Sequence, residues 1–161
     1  MITTSTISFL EGLKKNNNKD WFEKNRKQYK SAKQNFLDFV ADVITKVEKM
    51  DNTIVALEAK QCVFRINRDV RFSKDKSPYK TNMGASISKG GKKIQCAGYY
   101  FHLEPNNAFI AGGLYIPAAD MLQKVRQEID YNFDEFKKII SDKKFVATFN
   151  ALEQTDKLSR P

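Results

Sequence analysis

Residues 81–115 read TNMGASISKGGKKIQCAGYYFHLEPNNAFIAGGLY. Apolar and small or polar residues alternate through this stretch, and two turn signals interrupt it. Gly90-Gly91 marks a hairpin, and Pro105-Asn106-Asn107 marks a second turn. The alternation predicts strands at about 81–88, 93–103 and 108–115. Connections this short make the three strands antiparallel neighbours. A further strand is predicted at about 60–67, where the period changes from helical to alternating. The expected sheet is therefore four-stranded.

Met83, Ala85 and Ile87 share one face with Tyr99, Phe101 and Leu103. The opposite face is mixed, with Gly84, Ser86, Tyr100 and His102. Gly84, Gly98 and Gly112 are expected to line up there as a furrow bordered by Arg65, Tyr100 and His102. Glycine inside a strand marks close approach of a ligand or backbone. A bulge, or a helix packed on the glycines, is the alternative.

Upstream, Thr4–Lys15 reads as a short amphipathic helix, ended by Asn16-Asn17-Asn18. Asp20 and Glu23 have capping-box spacing. From Trp21 to about Met50, apolar residues recur three and four apart, among them Phe22, Tyr29, Phe36, Phe39, Val43 and Val47. One long helix covering the sheet is expected. Downstream, Pro117 suits a helix start, and another helix follows from about Asp134. The whole is a single α+β domain over residues 1–161, an antiparallel four-stranded sheet packed against a long N-terminal helix and C-terminal helices.

The segment between the first two predicted strands carries the charge. From Cys62 to Lys93 there are nine basic residues and two acidic ones, a net +7 within a chain whose net charge is +9. Arg65, Arg68 and Arg71 stand three apart, followed by Lys74, Lys76 and Lys80. The planar guanidinium fork suits bidentate contact with phosphate or carboxylate. Arg65, Arg68, Arg71 and Lys80 are thus candidate ligands for a small anion. Asp69 is placed as the orienting partner of an arginine, and Tyr79 as a wall of the pocket. The alternative is an exposed loop laced by arginine–aspartate pairs.

Other chemistries have less to stand on. Nucleic acid is a possible partner, through the basic loop, Phe72, Tyr79 and the lysines 89, 92 and 93, but no recognised binding motif accompanies them. His102 is the only histidine. It is a candidate general base or a structural hydrogen-bonding residue. An enzyme using His102 or a loop carboxylate is a further alternative. Cys62 and Cys96 form no CxxC pair and read as thiols rather than a disulfide. No metal site or cofactor is implied. On the long helix, Asn25 and Arg26 sit among aromatics, either reaching the same site or capping a core edge. No apolar run approaches the roughly 18 residues of a membrane span, and no signal-peptide pattern opens the chain. A cytoplasmic setting is expected.

Three segments together resemble a known family. They are Trp21-Phe22-Glu23-Lys24-Asn25-Arg26 with Tyr29; Phe64 to Phe72 continuing from Asp75 to Thr81; and Gly98-Tyr99-Tyr100 with Gly112-Gly113 and Pro117. In this order they resemble the bacterial family catalogued as domain of unknown function 2461, over nearly the whole chain. That family carries no established activity, so the resemblance implies no catalytic residue. Its members typically continue past a segment like Leu158-Ser159-Arg160-Pro161, which leaves open a further C-terminal portion.

Overall fold

The computed structural model describes residues 1–152. Its described residues form seven α-helices and one antiparallel sheet, in two compact units, Met1–Tyr115 and Ile116 onward.

In the first unit, α1 (Thr4–Lys15) has the bounds its periodicity predicts and buries Phe9, Leu10 and Leu13. The expected long helix is instead two, α2 (Lys19–Lys24) and α3 (Arg26–Val47). Asn25 separates them. Its side-chain amide donates to the Trp21 carbonyl at 2.8 Å, closing α2 before α3 begins. The N-cap of α2 is Asn18, not Asp20: its side-chain oxygen accepts from the Trp21 amide at 2.9 Å. This satisfies one of the orphan donors at a helix start.

The sheet has three strands, in the order β1 (Met83–Ser88), β2 (Gly98–Leu103) and β3 (Phe109–Gly113). The strand expected at 60–67 does not form. Ala59–Cys62 is a helical turn, α4, held by a capping box between Glu58 and Gln61. Lys92 Nζ fastens its end by donating to the carbonyl oxygens of Lys60, at 2.9 Å, and Val63, at 2.5 Å. Beyond it the chain makes only isolated bridges, Val63 to Ala85 and Asn67 to Tyr79. Burial shows why alternation misleads here. Cys62, Val63 and Ile66 are buried, whereas Phe64 is 38% exposed. Nor does the double glycine make a tight hairpin. Gly90 and Gly91 are both left-handed, and Gly91–Lys93 forms a 3-10 turn, so β2 starts at Gly98. A Cβ on Gly91 would lie 2.8 Å from the Gln61 carbonyl oxygen, so any larger residue there is strained and forces the backbone to shift.

The register sets the two faces. Met83 lies opposite Leu103, Ala85 opposite Phe101 and Ile87 opposite Tyr99. This is the apolar face. The α3 helix covers it, with Phe36 and Phe39 at 6.1 and 4.8 Å from the Phe101 ring. Burying each such large side chain contributes on the order of 2 kcal/mol.

The expected glycine furrow is absent. Gly84 and Gly98 do share the mixed face, but Gly112 pairs with Tyr99 and so belongs to the other. The space above Gly84 is occupied by Tyr100.

The second unit contains α5 (Ala119–Tyr131), α6 (Phe133–Ser141) and α7 (Lys143–Phe149). Asp142 caps α7 by accepting from the Lys144 amide at 2.8 Å. Phe145 and Phe149, one helical turn apart, bring their rings to 5.1 Å. No described helix in the chain is long and apolar enough to cross a membrane.

Candidate functional site

Two concavities border the basic segment. The first, about 140 Å³, lies between α3 and the sheet's mixed edge. Its wall includes Tyr29 and Lys33 from α3, Phe64 and Arg65, then Lys80, Asn82, Gly84 and Tyr100. Arg65, Lys33 and Lys80 are its charged residues, and no carboxylate lines it. None of the three is in an ion pair among the described residues. The Lys80 ammonium lies 5.4 Å over the Phe64 ring. Burial, and secondarily the Arg65 charge, hold Lys80 below the usual lysine range. A cation in that state gains from an anion brought beside it.

The second concavity, about 330 Å³, is lined by Lys14, Asn17, Arg68, Asp75, Ser77, Tyr79, Lys80, Thr81, Asn82 and Glu104. Here two of the three cations are already matched, and among the described residues only Lys80 is not. Lys14 pairs with Glu104 at 3.1 Å, and Arg68 pairs with Asp75. Arg68 also donates to the Ser77 carbonyl at 3.1 Å and the Ser73 hydroxyl at 3.3 Å. Asp75 in turn accepts from the amide and hydroxyl of Ser77, at 2.9 and 2.7 Å. Arg68 therefore ties the excursion into a closed loop.

The three arginines do not share a pocket. Arg65 lines the first concavity and Arg68 the second, whereas Arg71 lines neither. Arg71 is held by Asp69 in a bidentate pair, Nε to Oδ1 at 2.9 Å and Nη2 to Oδ2 at 2.7 Å. Its side chain is 76% exposed. The Arg71 hydrogen bonds hold the Asp69 carboxyl below its ordinary range. Lys80 lines both concavities. Tyr79 is buried, with its ring stacked on Phe22 at 3.9 Å, and it walls the second.

On the mixed face, Tyr100, His102 and Glu104 stand in a row. Tyr100 Oη lies 3.0 Å from His102 Nδ1, and His102 Nε2 lies 3.4 Å from Glu104 Oε2. The His102 ring stacks on Phe109 at 4.6 Å. Glu104 also accepts from Lys14 and from Asn107 at 3.2 Å; partial burial pushes its carboxyl up, but the hydrogen bonds from Asn107, Lys14 and His102 together outweigh it and hold the carboxyl low. Burial pushes the Tyr100 phenol up.

Asn25 and Arg26 reach neither concavity. Arg26 pairs with Glu23 at 3.0 Å on the surface of the helix start. Lys92 is committed to the carbonyls at the end of α4. Lys33 is the cavity cation that sequence reasoning missed. The only available signal was its spacing on α3, four residues beyond Tyr29 and three before Phe36.

Among the described residues no group of three histidine, cysteine or acidic side chains stands close enough to hold a metal ion. Cys62 and Cys96 are free thiols.

No curated protein and no solved structure matches this chain. A family model described as a conserved hypothetical protein, DUF2461, matches residues 5–161. The three segments that resemble this family fall on α2 and the start of α3, on the Arg68-tied loop, and on β2 and β3 with Pro117 just beyond. With nearly its whole length matched, the chain belongs to the DUF2461 family.

Proposed function

We propose that this protein binds a small phosphate-bearing or carboxylate ligand in the cavity between α3 and the mixed edge of the sheet. Arg65, Lys80 and Lys33 supply the positive charge. Asn82 and Tyr100 supply polar contacts, and Phe64 and Tyr29 flank an apolar portion. One observation carries the reading: three cations and no carboxylate line the same concave surface. By contrast, Lys14, Arg26, Arg68 and Arg71 nearby are each paired, with Glu104, Glu23, Asp75 and Asp69. The concavity is small, about 140 Å³. That suits an anionic head group rather than a polymer. In this reading Arg68 and Asp69 act indirectly, by ordering the loop that presents Arg65 and Lys80.

Calorimetry and thermal shift with sulfate, inorganic phosphate, phosphate monoesters and small carboxylates test the proposal. Arg65→Gln and Lys80→Gln are each expected to weaken the best ligand at least tenfold, since each removes a charge-assisted hydrogen bond. Arg71→Gln is expected to leave affinity unchanged. No binding by any member of the panel, or equal loss with Arg71→Gln, overturns the reading.

A further inference from the structure

The row Tyr100–His102–Glu104 ends at the cavity, because Tyr100 lines it. Chemistry at the far end fixes the direction of the hydrogen bonds. A carboxylate only accepts, so Glu104 opposite Nε2 favours a proton on that nitrogen. Neutral His102 then has its lone pair on Nδ1, where the Tyr100 hydroxyl, 3.0 Å away, is placed to donate. The Asn82 amide nitrogen lies 3.0 Å from Nδ1 and 3.1 Å from Nε2, equally close to both, and so does not distinguish them. In this state Tyr100 spends its one proton on His102 and turns oxygen lone pairs toward the cavity. Protonated His102 carries N–H on both nitrogens. Nδ1 then donates to Tyr100 Oη, and the phenolic proton is released to point elsewhere.

We infer that Tyr100 is a switchable donor in the anion site: when His102 takes up a proton, the Tyr100 hydroxyl reverses and donates into the cavity, so that anion binding and proton uptake are coupled. The inference rests on the anion-binding reading above and adds its regulation. It also defines the ligand class more narrowly, as an oxyanion with an acceptor oxygen at Tyr100 while Arg65, Lys80 and Lys33 hold the charge.

The groups bearing on His102 are Tyr100 on its own strand, Glu104 just beyond it, and Lys14 of α1 acting through Glu104. Asn82 ahead of β1 and Phe109 of β3 are its neutral neighbours. Arg65 and Lys80 face Tyr100 across the cavity, and Tyr115 influences Tyr100. Linkage makes the sign definite. A ligand that prefers the protonated form binds more tightly as pH falls. Histidine is the side chain that changes charge between about pH 5 and 8.

Sulfate is the probe, because its own charge is constant over that range. Calorimetric titration at pH 8 and pH 5.5 is expected to show about tenfold tighter binding at the lower pH, the size of one charge-assisted hydrogen bond gained. His102→Gln is expected to flatten this dependence. Tyr100→Phe is expected to remove most of it. Sulfate binding that is equal at both pH values overturns the coupling and leaves the anion site standing. A dependence that survives His102→Gln assigns it to another group, and one that survives Tyr100→Phe assigns it to the imidazolium charge alone. Either result overturns the hydroxyl switch.

An independent readout needs no ligand. His102 is the only histidine, so nitrogen NMR of the free protein at pH 8 reports one ring. The proton is expected on Nε2, and finding it on Nδ1 overturns the switch even if sulfate binds. Absence of sulfate binding with the Nε2 proton in place instead counts against the anion site and, with it, the coupling.

Discussion

Tyr100 lays its hydroxyl over Gly84, so that a Cβ on Gly84 would lie 2.7 Å from Oη and 3.2 Å from the ring edge. Gly84 pairs with His102 across the ladder, while Tyr100 pairs with Ser86. The ring therefore leans diagonally toward the glycine. Gly84→Ala forces that ring away, and with it the hydroxyl that borders the cavity and meets His102. The expected cost is about 1–3 kcal/mol, as for other overpacking substitutions, read as a lower urea midpoint with unchanged slope. Sulfate affinity is expected to fall in the same variant. Unaltered stability together with unaltered affinity would show that the ring is not held where the glycine permits it.

The Arg68–Asp75 pair predicts how the basic loop responds to acid. The Asp75 carboxyl is held down at about 2, first by the Ser77 hydroxyl and amide and then by Arg68. Its folded value lies below the ordinary one of 3.8. The contribution to loop order is thus complete above about pH 4 and is lost as pH falls through about 2. Asp75→Asn imitates the protonated state at neutral pH. Limited trypsin digestion is expected to cut this variant faster within residues 68–76, with little change in global stability, because Asp75 is exposed. Equal cutting of variant and parent would remove Arg68 and Asp75 as the loop's organisers.

Much of this arrangement was legible in the sequence, and the failures have identifiable causes. The α1 bounds, the facing of β1 and β2, the turn at residues 105–107 and the Asp69–Arg71 partnership all follow from local patterns. Local patterns also explain the errors. Helical periodicity runs straight through Asn25, since a single residue that closes one helix and starts another leaves the apolar spacing intact. Cys62, Phe64 and Ile66 imitate a strand, yet the backbone there is diverted by a capping box and by Lys92, thirty residues away in the chain. Convergence of Arg65, Arg68 and Arg71 depended on the path of the loop. Asp75 and Asp69 claim two of the three. Lys33, exposed on α3, joins the cavity only because of where the segment around Arg65 comes to rest.

Asn17 holds Tyr79 by its backbone from both sides. Its amide nitrogen donates to the Tyr79 carbonyl at 2.8 Å, and its oxygen accepts from the Tyr79 amide at 3.1 Å. One side chain thus stands in for a neighbouring strand beside the isolated bridge to Asn67. Asn17→Ala leaves both backbone groups without that partner. The expected loss is about 1–3 kcal/mol by denaturant titration. Asn17→Asp keeps the acceptor and loses the donor, so it should fall between parent and Ala. If Ala and Asp are both neutral, the clamp contributes nothing to stability.

The two thiols are expected to separate cleanly by reactivity. Cys62 is fully buried, and burial pushes its thiol up to about 11, with Lys92 opposing only weakly. At pH 8 its thiolate fraction is on the order of one in a thousand. Cys96 is half-buried and donates to the Lys89 carbonyl at 3.6 Å. A disulfide-exchange reagent at pH 8 should therefore label one thiol per native chain and two in urea. Cys96→Ser should abolish the native signal, and Cys62→Ala should leave it unchanged. The same shift carries a stability consequence. A thiol whose folded value is raised stabilises the fold fully below its unfolded value near 9, and that contribution disappears as pH rises through about 11. Parent protein should lose stability across that window more steeply than Cys62→Ala. Parallel curves for the two would show that the ionisation of Cys62 is not coupled to folding.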